Sequence, residues 1–263
     1  MRDALVRVLE RLPLWIADAM AWAIAWTWWW IVPVRRGEAV ANLQAALPEA
    51  PARATLVRMM HDLVLGYVEI LQFGRLAVTV EGAEAIPPGS ILLAGHGGSW
   101  DVALLAWADA VPLGIFLKTP SDPWVRDLLA RLRREHDVLA LETGARMKDA
   151  YAALAAGRSI MFIQDQRFGK GVPSPFFGRP ALTSAGLAAA VLKTGRPVFG
   201  CWQWREGVGR HRLRVEPLAL PPLTGDREVD ARAITDATNR WYEAQIRARP
   251  HGWLWLHRRW KGA

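Results

Sequence analysis

Cysteine is nearly absent from this chain: Cys201 is the only one in 263 residues. No internal disulfide can form, which fits a reducing compartment. Cys201 lies in an apolar run and reads as a buried, inert thiol rather than a nucleophile. A serine-hydrolase elbow, G-x-S-x-G, is missing too; Ser159 in "GRSIM" comes nearest and lacks the second glycine. His61, His136, His211, His251 and His257 show no metal-ligand spacing, so no metal is expected. There is no internal repeat, linker or low-complexity tract. The first apolar stretch has no small-residue cleavage site, so a removable signal peptide is not expected.

What is present is apolar and basic. Hydrophobic residues make up 52% of the chain, enough for a sizeable core. The net charge is +8 and the pI about 10.3. Such a balance favours nucleic acid, anionic membrane surfaces or phosphorylated substrates. Fifteen tryptophans, with no lysine-rich tract, favour the membrane surface. They cluster early (Trp15, Trp22, Trp26, Trp28, Trp29, Trp30) and late (Trp253, Trp255, Trp260). Nucleic-acid binding is the remotest reading. The segment "LPLWIADAMAWAIAWTWWWIVPV" (12–34) has only Asp18 and Thr27 as clearly polar members. It is long enough to span a bilayer, but Asp18 at mid-membrane would cost roughly 3 kcal/mol. Arginines flank it on both sides, so spanning and interfacial readings both stay open. The expected organisation is a hydrophobic, membrane-associated segment over 1–40 and one catalytic domain over 41–263.

Beyond residue 34 the pattern alternates. "RRGEAVANLQAALPEAPARATLVRMMHDLVLGYVEIL" is helical, broken at Pro48 and Pro51. Strands are expected in "LAVTVEG", "GSILLAG", "VPLGIFLK", "DVLAL", "SIMFIQDQ", "RPVFGCWQW" and "RHRLRVEPL". Helices are expected in "WDVALLAWADA" after an N-cap at Ser99, in "SDPWVRDLLARLRREH", in "ARMKDAYAALAAG", in "TSAGLAAAVLKTG" and over 226–249. A loop separates "SIMFIQDQ" from "TSAGL". This order argues for an α/β fold with a mostly parallel central sheet flanked by helices.

In such sheets ligands sit beyond the carboxyl ends of the strands. "LLAGHGGSWD" puts His96 there, with Asp101 in the first turn of the next helix. Gly97 and Gly98 allow a sharp reversal, so the carboxylate can fold back onto the imidazole. That pair would make His96 a general base for a hydroxyl. The bland alternative is a turn histidine and a helix-dipole aspartate; the stretch alone does not choose. A second strand end carries Gln164, Asp165, Gln166, Arg167 and Lys170. Its cations suit a phosphate, a carboxylate or a developing oxyanion. The alternative is a solvated basic loop, although "FGKGVPSPFFG" is apolar for one.

Five stretches in collinear order resemble the lysophospholipid acyltransferase superfamily, and within it the bacterial lipid A lauroyl/myristoyl acyltransferases. They are "RRGEAVANLQAALPE", "HGGSWD" (His, four residues, then an acid), "IQDQRFGKG", "PFFGRPALTSAG" and "WLWLHRRWKG". The resemblance implies a glycerolipid-acyltransferase-like fold. It implies transfer of a fatty acyl chain from a thioester of acyl carrier protein or CoA to a hydroxyl of a membrane lipid or glycolipid. No cofactor beyond that co-substrate is implied, and the location would be the cytoplasmic side of a bacterial inner membrane. His96 would be the base and Asp101 its partner. Arg167, beside the Asp165–Gln166 pair, would face the acceptor's phosphate or the oxyanion. Lys118 and the Arg133/Arg134 pair stand where similar chains are basic. His257, Arg258 and Arg259 match a signature of structural or membrane-docking role. Many relatives carry Glu in place of Asp101 and Asn in place of Gly95, and are longer, which leaves the acceptor open. Two other readings compete: an esterase or thioesterase using the same pair on water, and an inactive membrane-bound partner protein.

Overall fold

A computed structural model describes residues 2–142 and 146–262. An amphipathic helix, α1 (Arg2–Arg11), precedes α2 (Leu14–Trp30), α3 (Arg36–Ala46) and α4 (Ala52–Glu69). The breaks hold prolines 13, 33, 48 and 51, none of which can continue a helix with its backbone donor missing. β1 (Ala77–Glu81), β2 (Ile91–Ala94), α5 (Trp100–Ala110), β3 (Leu113–Phe116), α6 (Pro123–Glu135), β4 (Leu139–Leu141), α7 (Met147–Ala155) and β5 (Ser159–Ile163) follow. Ala145, the first residue of the helix expected in "ARMKDAYAALAAG", lies outside the described residues. The chain then forms β6 (Val172–Phe176), β7 (Arg179–Thr183), α8 (Gly186–Thr194), β8 (Val198–Gly207), β9 (Arg210–Pro217) and α9 (Arg227–Ala248).

Seven strands make one sheet in the order β1-β9-β8-β2-β5-β3-β4. All neighbours run parallel except β8 and β9, which pair antiparallel through a tight turn. The central strands β2 and β5 are apolar on both faces, as strands covered on both sides must be. Cys201 on β8 is fully buried, and burial pushes its thiol far up. In the β2–β5 register Ala94 stands opposite Ile163. Continuing that register by two residues brings position 96 beside position 165.

The segment expected as a loop is instead a hairpin, β6–β7. Phe177 and Gly178 both have positive φ, the signature of a two-residue type I′ turn. Pro173 and Pro175 are tolerated because β6 pairs only with β7. The hairpin's Phe176 and Phe177 are buried against Trp253, Trp255 and Trp260. The late tryptophans therefore stand in the core and not on a membrane face, contrary to the reading from their position near the end. Arg259 is buried with them; it donates to Leu182 O, Thr183 Oγ1 and Asn239 Oδ1.

The early tryptophans divide. Ala17, Ala21, Ala25 and Trp29 recur at four-residue spacing and are buried, with α2 packed along α4. The alanines let the two backbones approach. Trp15, Trp30 and Ile31 are 71%, 60% and 74% exposed. No helix among the described residues is long and apolar enough to cross a membrane. Asp18 is not stranded in this helix: His61 Nε2 lies 2.8 Å from its carboxylate, and the His61 ring stacks on Trp22 at 4.1 Å.

Candidate active site

His96 follows β2 at the sheet's carboxyl edge, as its sequence position implies. The carboxylate on its Nδ1 is Asp165, at 2.8 Å, and not Asp101. The correction follows from the register. Parallel pairing of β2 with β5 delivers residue 165 beside residue 96, whereas Asp101 belongs to a helix whose start is held elsewhere. Asp165 is fully buried and accepts three bonds: the imidazole on Oδ1, and the His96 backbone N–H and the Trp253 indole on Oδ2, each at 2.8 Å. Asp165, expected as a substrate ligand, thus spends its oxygens inside the protein. A proton on Nδ1 held by Asp165 leaves Nε2 as an acceptor.

Burial works against a charge on His96, but the charge and hydrogen bond of Asp165 outweigh it, with help from the charge of Asp101. The imidazole is therefore held above its ordinary value. Burial likewise opposes ionisation of Asp165, yet the bonds and charge from His96 keep it below the usual carboxylate range. Asp101 goes the other way: burial pushes its carboxyl up, against the charges of Arg133 and His96.

The loop 95–99 is fixed by close packing. A Cβ on Gly97 would come within 2.5 Å of the Trp202 ring, so only glycine fits. Gly98, at φ 55°, supplies the left-handed turn. Gln203 Nε2 donates to the carbonyls of Gly95 and Gly97 at 2.9 and 2.6 Å, and Gly98 N–H donates to Gly252 O at 2.7 Å. Trp100 sets its ring edge-on to His96 at 5.4 Å.

Two cavities meet at His96. One, of about 270 Å³, is lined by Trp100, Asp101, Leu104, Trp107, Lys118 and Arg133 among others. The other, of about 460 Å³, is lined by Phe116, Met147, Phe162, Gln164, Arg167 and Phe168. A crevice of about 480 Å³ between α1 and α6 shares no residue with either, and its charges come from Asp3, Arg7, Glu10, Asp127 and Arg131.

The structure thus gathers His96, Asp101, Lys118 and Arg167 around these cavities, with Asp165 buried behind His96. It does not gather Arg134 or Lys170, which are exposed and line neither. Arg133, the other member of its pair, turns inward. It is 8% exposed and makes no hydrogen bond or ion pair among the described residues. Arg167 is anchored to the tail, its N–H donating to His257 Nε2 at 2.9 Å and its Nε to Lys261 O at 2.6 Å. Sequence reading missed Trp253 and Gln203, whose contacts span more than 80 residues; the "WLWLH" stretch was the one signal for the first. No cluster of three or more metal-ligating side chains occurs among the described residues.

Set against known families, the chain is an acyltransferase acting on lipids. More narrowly, it belongs to the bacterial lipid A biosynthesis acyltransferase family, whose sequence profile matches residues 3–262. Among solved structures it is similar to the 1-acyl-sn-glycerophosphate (LPA) acyltransferase PlsC from Thermotoga maritima. That likeness has 19% identity and a TM-score of 0.43, over 90% of this chain and 99% of the other. No curated protein matches the chain in sequence.

Proposed function

We propose that the protein moves a fatty acyl chain from a thioester, of acyl carrier protein or CoA, to a hydroxyl of a lipid A-type or related glycolipid acceptor at a membrane face. The observation that carries this reading is that His96 lines both cavities. A transferase must bring two substrates to one base, whereas a hydrolase needs room for one and water.

His96 Nε2 takes the proton of the acceptor hydroxyl. The alkoxide attacks the thioester carbonyl, the C–S bond breaks, and the thiolate recovers the proton from the imidazolium. Asp165 orients the ring and steadies its positive form. Arg133, buried near the carboxylates of Asp101 and Glu142, and Lys118 are placed to meet negative charge on the reacting carbonyl or a phosphate. Asp101 sits among these cations in the same cavity and keeps the local charge from becoming wholly positive. Arg167 lines the more apolar cavity and faces the second substrate. No further cofactor enters these steps.

His96→Ala is expected to remain folded and lose acceptor-dependent transfer by on the order of 10²–10⁴-fold. Mass spectrometry of the acylated lipid, with a long-chain acyl thioester as donor and lipid A precursor as acceptor, reads the result. Full transfer by that variant ends the proposal. Free fatty acid released equally with and without acceptor would make the protein a hydrolase.

A further inference from the structure

β8 carries two polar residues, Gln203 and Arg205, on one face of a strand at two-residue spacing. Both are buried, at 3% and 8% exposure, and both reach the His96 loop. Gln203 holds the carbonyls of Gly95 and Gly97, and Arg205 Nη2 donates to Ser99 Oγ at 2.8 Å. Ser99 occupies the N-cap of α5, but its hydroxyl caps nothing in the helix. It donates instead to Glu69 Oε2 at 3.2 Å, and Arg205 also pairs with Glu69 and, at 3.1 Å, with Asp62. Glu69 further accepts from Gly209 N–H at 3.1 Å and faces His211 at 3.1 Å. This cluster reaches Ser99 because Gly66 has no side chain; a Cβ there would stand 3.1 Å from Ser99 Oγ.

A cap residue normally spends its oxygen on the helix it starts. Here that oxygen is diverted to a buried ion cluster, at the point where the loop carrying His96 meets the helix carrying Asp101. The same strand grips the other end of the loop. We infer that Gln203 and Arg205 are positioning residues for the acyl-transfer reaction, clamping residues 95–99 from β8 so that His96 stays aligned on Asp165 and between the two cavities. This rests on the reading of His96 as the base.

The test uses Gln203→Met and Ser99→Ala, each of which removes a clamp contact without touching a charge. Ile246→Val, a core change away from the loop, controls for lost stability. Gln203→Met and Ser99→Ala are expected to lower kcat about ten- to a hundredfold with KM for the thioester unchanged, because small misplacement of a base is costly. A second readout needs no turnover: NMR titration of the His96 ring. His96 faces Asp165 beyond β5, Asp101 on α5, Lys118 beyond β3, Arg133 on α6 and His257 in the tail. Its contacts with the two acids hold it up, so a loosened loop lets its titration fall toward the ordinary imidazole value. The control should change neither readout. Wild-type kcat and an unmoved His96 titration in both clamp variants overturn the inference. Retained transfer by His96→Ala instead overturns the reading beneath it.

Discussion

At the scale of single residues, the site turns on which acid holds the histidine. The sequence places an acid five residues after His96, and the eye pairs them. The fold pairs His96 with Asp165 because backbone register, not sequence distance, decides which side chains meet. Asp165→Asn tests this assignment by pH. His96 acts as base only when neutral, and Asp165 holds its titration up. Rate should therefore rise with pH through a raised value in the wild type. In Asp165→Asn that acid limb should move to lower pH, while the plateau falls by on the order of 10²-fold or more as the wrong tautomer is populated. A pH–rate profile of both proteins checks the sign. Gly95 is explained at the same scale. No side chain fits there, because a Cβ at 95 would stand 2.6 Å from the Trp202 ring and 3.2 Å from Asp165 Oδ2.

At the scale of elements, α2 is apolar nearly all round, yet only its alanine face is covered. The exposed Trp15, Trp30 and Ile31 form a face with rings suited to the headgroup region. Arg2, Arg7 and Arg11 before it and Arg35 and Arg36 after it add attraction to anionic lipid. Asp18, which would be expensive inside a bilayer, is engaged by His61 toward α4. These features favour a helix lying in the interface. Replacing Trp15, Trp30 and Ile31 together by serine is expected to abolish co-sedimentation with vesicles containing anionic phospholipid, while thermal unfolding stays close to wild type. Undiminished binding would remove α2 from this role.

At the scale of the whole molecule, most of the architecture was legible because the strands and helices have clean boundaries. Pro123 opens α6, Gly195 closes α8 at φ 63°, and the strands fall where apolar runs end in glycine or polar residues. The hairpin β6–β7 was not legible: its prolines argue against strand, and only pairing with β7 together with burial of Phe176 makes it one. The exposure of the tryptophans was not legible either, since position along the chain does not say which ring the core will claim. Of the site, His96 and its edge of the sheet were visible. Its partner, its indole donor Trp253 and its clamp on β8 come from pairings across 69 to 108 residues, which no local pattern encodes.

Cys201 closes the matter of bookkeeping in the assay tube. A protein proposed to liberate a thiol carries one of its own, sealed in the core on β8 and held in its unreactive protonated form. The native enzyme should stay silent toward a thiol-reactive dye until it is denatured. Every equivalent of colour that develops during turnover then counts a released carrier thiol, and alkylating reagents should leave the rate unaltered.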